Sequence, residues 1–165
     1  MIGVSHISFG AATSSAIQKL KFLPWWLQLA LISITPFCSH FLLDSFSHLD
    51  YWRFQNNYPL FLFFLFTDVW AGFLIILFGA RLKLDMDKKT FLLFLGSFFS
   101  VLPDLIKFLW RIILFENKTL VWFVEIHDYF HFHGNDTPFF FRAGNELSFI
   151  FLAFLILRIC SKKSA

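Results

Sequence analysis

The chain predicts an all-α protein, a polytopic transmembrane helix bundle of four to five membrane-embedded helices with one of them interrupted at Pro103. Hydrophobic residues make up 58% of the 165 and charged residues only 15%, outside the range of soluble globular chains. Four stretches carry the apolar length that a bilayer demands, about 20 residues of helix or somewhat fewer with thinning and snorkelling. Lys and Arg collect at the ends of those stretches. The length fits a single integral membrane domain over 1–165.

The first element is the run from Ser5 to Gln18, rich in Ser, Ala and Gly. It is too polar to face lipid all round but suited to packing inside a bundle, and is expected as a fifth, weaker helix. The first 20 residues lack both a basic leader and a long apolar core, which argues against a cleaved signal peptide. The four spans are expected near 24–46, 59–80, 90–115 and 144–160. Within the third, proline is tolerated in the first turn of a helix and breaks one elsewhere, so Leu102-Pro103-Asp104 predicts an interruption with Ser100 as its cap. Irregular backbone at membrane depth is tolerated where it lines a cavity, which would aim Asp104 into one. The 27 Phe read as lipid-facing bulk rather than an aromatic site. Cys38 and Cys160 have no framework spacing, and no disulfide is expected.

The formal charge of +3 is scattered at segment ends rather than gathered in a stripe, so the partner it points to is bilayer lipid and not nucleic acid. If the five segments alternate, Lys19, Lys21, Arg81, Lys83, Lys88, Lys89, Arg158, Lys162 and Lys163 fall on one side, against Arg53, Lys118 and Arg142 opposite. The basic side, with the C-terminus, is therefore expected to be cytoplasmic at a cell (inner) membrane. His6, His40, Asp44, His48, Asp50, His127, His131 and His133 then all approach the outer face, as does Asp104. Residues far apart in the chain reach one level without having been used to set it.

Ionisable groups at membrane depth are costly unless paired, hydrated or bound to an ion. His40, Asp44 and His48 are spaced by four and would share one face of a continuous helix, drifting about 40° per step. Asp44 can join either histidine on one ion; His40 and His48, about 12 Å apart along such an axis, need a bend or two ions. His127 and His131 are a helical turn apart, and Asp128 or Glu125 can fix an imidazole tautomer. The plainer readings are a helix end meeting water for the first cluster and an amphipathic interfacial segment for the second. Against them, Asp44 lies between Leu43 and Phe46, deep in an apolar run, and imidazole with carboxylate is a standard ligand set for zinc and related metals. Asp68 is a lesser candidate, as readily paired with Lys107, Arg111 or a ligand histidine.

The early Ser5-His6-Ile-Ser-Phe-Gly-Ala-Ala, the block Ser39-His40-Phe-Leu-Leu-Asp44 with His48, Asp50 and Tyr51, and Gly96 leading to Leu102-Pro103-Asp104, followed by a paired-His loop, together resemble the YdjM-like, DUF457-type family of membrane-bound metal-dependent hydrolases, in a divergent small-membrane-protein branch. Only the block from His40 to Tyr51 is specific. Ser47 stands where the family has Pro before its second His, and His127-Asp-Tyr-Phe-His131 replaces a more typical His-Arg-Gly motif. The resemblance implies a metal-dependent membrane hydrolase.

The sequence leads to three functional expectations. In the first, His6, His40, Asp44, His48, His127 and His131 supply ligands for one or more divalent ions, zinc foremost, with Asp104 or Asp50 receiving a proton from water during hydrolysis of a phosphoester or other ester of a lipid-like substrate. In the second, the same groups form a structural or transport-linked metal site in a non-enzymatic protein. In the third, no metal binds and the histidines only hydrogen-bond between helices. Separation of His40 or Asp44 by more than about 10 Å from both His127 and His131 would exceed side-chain reach and remove the shared site.

Overall fold

Small side chains put the shortest apolar segment at the centre of the bundle. In the computed structural model, which describes residues 3–46, 57–80, 87–110, 118–130 and 137–161, helix α1 (Gly3–Ile17) packs against α2 (Trp25–Asp44), α3 (Tyr58–Ala80), α4 (Lys88–Leu109) and α6 (Phe139–Ser161). A shorter helix, α5 (Lys118–Phe130), lies on α2 and α4. Among the described residues the structure is all helical. Four helices are long and apolar enough to cross a membrane, α2, the Leu62–Ala80 part of α3, α4 and α6.

Burial is inverted relative to a soluble protein. Ser5, Ser8, Ser14 and Ser15 are buried on α1, while Phe66, Phe78, Phe140 and Phe151 are each more than 60% exposed. Such a surface suits lipid, and the buried Ser8 hydroxyl is satisfied within its own helix: Ser8 Oγ donates to the Val4 carbonyl at 2.6 Å. Between helices, Ser97 Oγ of α4 donates to the Ile7 carbonyl of α1 at 2.9 Å. That bond requires close backbones, and Gly10 and Gly96 provide them. A Cβ on Gly10 would stand 2.5 Å from the Gly96 carbonyl oxygen, and one on Gly96 would stand 2.7 Å from the Gly10 carbonyl oxygen. On the other side of α1, Ala11 and Ala12 join Ile76, Ala80, Leu93, Ala153 and Leu157 in the apolar core.

The expected spans correspond to α2, α3, α4 and α6, with differences that have physical causes. Helix α6 begins at Phe139, ahead of the expected start: the Pro138 carbonyl accepts the Phe141 N–H at 3.0 Å and opens the helix, and Glu146 turns into the bundle, where it is 2% exposed. The expected interruption at Pro103 does not occur: α4 runs unbroken from Lys88 to Leu109 with Pro103 fully buried. Proline there removes only the hydrogen bond to the Phe99 carbonyl, a loss that neighbouring helices make tolerable in a membrane bundle. The helix starts instead at Asp87, whose carboxylate accepts from the Thr90 backbone N–H at 2.7 Å. That hydrogen bond holds the Asp87 carboxyl below the usual carboxylate range. Helix α5 occupies part of what was expected to be a loop, too short and too polar for a hydropathy signal.

The Gly10–Gly96 crossing sets the separation of α1 and α4. Gly96→Leu should lower the thermal unfolding temperature in detergent, by an overpacking cost of about 1–3 kcal/mol. An unchanged transition would show that the two helices are not in contact there.

Candidate metal centre

The site begins with two residues on one face of α2. His40 and Asp44 are four apart, and His40 Nε2 lies 3.0 Å from Asp44 Oδ2. Asp44 is the last residue of α2, with Ser45 at the C-cap, and is 1% exposed. A carboxylate at a helix C-terminus faces the negative end of the macrodipole, an unfavourable place unless something positive sits opposite. Helix α2 ends here, and the described members of the expected same-face set are His40 and Asp44.

Helix α4 adds Asp104 and a backbone carbonyl. His40 Nδ1 donates to the Ser100 carbonyl at 2.8 Å, and this assigns the ring proton to Nδ1, leaving the Nε2 lone pair facing the site. Helix α5 adds His127, fully buried, with Nε2 at 3.0 Å from His40 Nε2, 3.4 Å from Asp44 Oδ2 and 3.2 Å from Asp104 Oδ1. His40 Nε2 to Asp104 Oδ1 is 3.7 Å. His40, Asp44, Asp104 and His127 each point one ligand atom into a common space, all within 4.8 Å of one another, and can hold a metal ion. His40 and His127 thus lie far inside the limit beyond which a shared site would fail. Asp104 is the ligand with access, its side chain 26% exposed.

Five of the six edges of a four-ligand polyhedron are given by these distances, and the sixth, Asp44 to Asp104, lies within 4.8 Å. Zinc bonds to nitrogen and oxygen of about 2.0–2.1 Å give tetrahedral edges of about 3.3–3.4 Å. The five edges given above run from 3.0 to 3.7 Å and bracket that value. Charge agrees with distance. Two neutral imidazoles and two carboxylates carry a formal charge of −2, which a divalent cation neutralises.

His6, expected as a ligand, stands beside this group. Its Nε2 lies 3.1 Å from Asp44 Oδ1, the oxygen turned away from the other ligands, and its ring stacks on His40 with centroids 4.2 Å apart. His48, Asp50, His131 and His133 lie outside the described residues. Asp68 does not pair with Lys107 or a ligand histidine; it accepts the Gly3 backbone N–H at 2.9 Å, at the start of α1. Lys107 instead bonds Asp128, whose Oδ1 is 3.7 Å from His127 Nδ1. Two contributors escaped sequence reasoning: the Ser100 carbonyl, which no side-chain pattern encodes, and the Lys107–Asp128 tether, for which a lysine inside an apolar span was the available signal. Comparison with family models, with curated proteins and with solved structures finds no match.

Helix α5 has few neighbours, so this ion pair is a main restraint on the position of His127. A pair half open to solvent is worth about 1 kcal/mol, so Lys107→Met should speed amide hydrogen exchange in the second half of α5 roughly fivefold while leaving α1 unchanged. Equal exchange in both proteins would remove the tether.

Proposed function

We propose that His40, Asp44, Asp104 and His127 hold a divalent cation, zinc foremost, and that the centre hydrolyses a phosphoester or other ester of a lipid-like substrate. The observation that carries this reading is the inward convergence of two imidazole nitrogens and two carboxylate oxygens within 4.8 Å of one another, three of the four residues being sealed from solvent. A divalent ion there supplies Lewis acidity, lowering the pKa of water to about 7 and stabilising charge on an ester oxygen.

The protein's own groups then divide the work. Ser100 fixes the His40 tautomer so that Nε2 is always available. Asp104, the accessible carboxylate, takes the proton released from water on its open side. His127 comes from a helix tethered through Lys107 and Asp128. Asp50 is the alternative proton acceptor that the sequence offers. An apolar groove of about 460 Å³ between α2 and α5, lined by Cys38, Phe41, Leu42, Ser45, Ile126 and Phe130, supports an amphiphilic substrate. Its wall residue Phe41 is in edge contact with His127, ring centroids 6.0 Å apart. The distribution of Lys and Arg supports placing the centre at the outer face, with the basic loops cytoplasmic. The resemblance to the YdjM-like family agrees with this chemistry.

A second reading is favoured by the ligand count. Four protein ligands complete a structural tetrahedral site, whereas catalytic zinc commonly has three and an open position.

Protein purified in detergent should carry about one equivalent of divalent metal by mass spectrometry, with Asp44→Ala and His127→Ala each retaining less than about a tenth of it. Equal metal in all three would overturn the centre. On a panel of short- and long-chain phosphoesters and carboxylic esters, Asp104→Asn, which removes a ligand carboxylate and the proton acceptor together, should reduce turnover by at least about 10²-fold. A chelator should abolish turnover in the parent. Metal without turnover on any ester would select the structural reading.

A further inference from the structure

Resting on the metal reading above, we infer that His6 is a positioning residue for Asp44 rather than a metal ligand: its Nε2–H donates to Asp44 Oδ1 and thereby dedicates Oδ2 to the cation. Two facts fix the proton. His6 Nε2 faces Asp44 Oδ1 at 3.1 Å, while His40 and His127 face Oδ2, so the proposed ion does not lie between His6 and Oδ1, and two lone pairs at that distance repel unless a hydrogen lies between them. On the other side of the ring, among the described residues, Nδ1 is buried and meets no hydrogen-bond partner. A proton on Nδ1 would bury an unsatisfied donor and leave the Asp44 contact repulsive, so both edges of the ring demand the Nε2–H tautomer.

That tautomer excludes coordination through Nε2, which has no lone pair to give. It also accounts for a fully buried imidazole in the first turn of α1. Asp44 has two oxygens and both are used: Oδ2 lies with His40 and His127, while Oδ1 lies with His6. Without the donor the carboxylate is free to rotate or to offer both oxygens to one ion, changing the geometry from one oxygen bond to two. Stacking on His40 extends the effect, because one flat face of His6 also limits how that ligand ring can tilt. The arrangement is a carboxylate held by an imidazole N–H, a pairing that sets the orientation of metal ligands generally.

The test uses full-length protein in detergent, with cobalt(II) as the spectroscopic metal and a competing chelator to read affinity. His6→Ala should weaken binding by about 10–100-fold, the usual effect of losing a residue that orients a ligand. His6→Gln places an amide N–H near the lost Nε2–H and should recover affinity to within a few-fold, with a cobalt visible spectrum like the parent's. Equal loss in His6→Gln and His6→Ala, or a His6→Gln spectrum showing one nitrogen ligand fewer, would make His6 a ligand and overturn the inference. Unchanged affinity in His6→Ala would overturn it as well. Two-bond 1H–15N correlations of the parent's His6 ring read the tautomer whether or not metal binds: a proton on Nε2 is expected, and a proton on Nδ1 contradicts the assignment. Parent protein that binds no metal but shows the Nε2–H tautomer would sink the preceding functional reading while leaving the Asp44 hydrogen bond standing.

Discussion

Two carboxylates and two imidazoles facing one another inside an apolar bundle set the terms for the rest of this structure. Buried negative charge of that size is several kcal/mol too costly to stand alone. Lys107, the nearby amine, is committed to Asp128. Asp44 also sits badly for its helix, at the last position of α2, where the macrodipole opposes it. The divalent ion proposed for this site would answer both difficulties at once, neutralising the formal charge and offsetting the unfavourable dipole.

The small residues of α1 make this convergence reachable. With Gly10 against Gly96 and Ser97 bonded to the Ile7 carbonyl, α4 approaches α1 closely enough for its Ser100 carbonyl to meet His40 of α2. Many of the Phe side chains are displaced outward, while Ser, His and Asp share the interior with a small apolar core. The polar residues thus share one environment, and the site is held by four helices rather than by loops. Precision of that kind suits metal ligands, which tolerate little positional error.

Much of the architecture was legible because lipid enforces a simple rule. Twenty apolar residues in a row announce a span, and the four long helices follow from that count. The level at which His40, Asp44, Asp104 and His127 meet followed from alternation of the spans, and His6 reached it too. What was not legible depends on neighbours. Pro103 looks like a break in isolation, yet inside a bundle α4 continues through it. Helix α5 has 13 residues, too few to span and too mixed in polarity to stand out, so His127 seemed to lie in a loop. Asp68 sought a side-chain partner on paper and found a backbone N–H instead. The division of labour between the two oxygens of Asp44 has no trace in the sequence, because it depends on which ring edge of His6 arrives first.

X-ray absorption at the metal edge of protein purified in detergent examines the central claim most directly. A shell of two imidazole nitrogens and two carboxylate oxygens at about 2.0–2.1 Å is the result expected. A metal-free preparation after loading with zinc, or a shell containing thiolate sulfur or lacking histidine scattering, would contradict it.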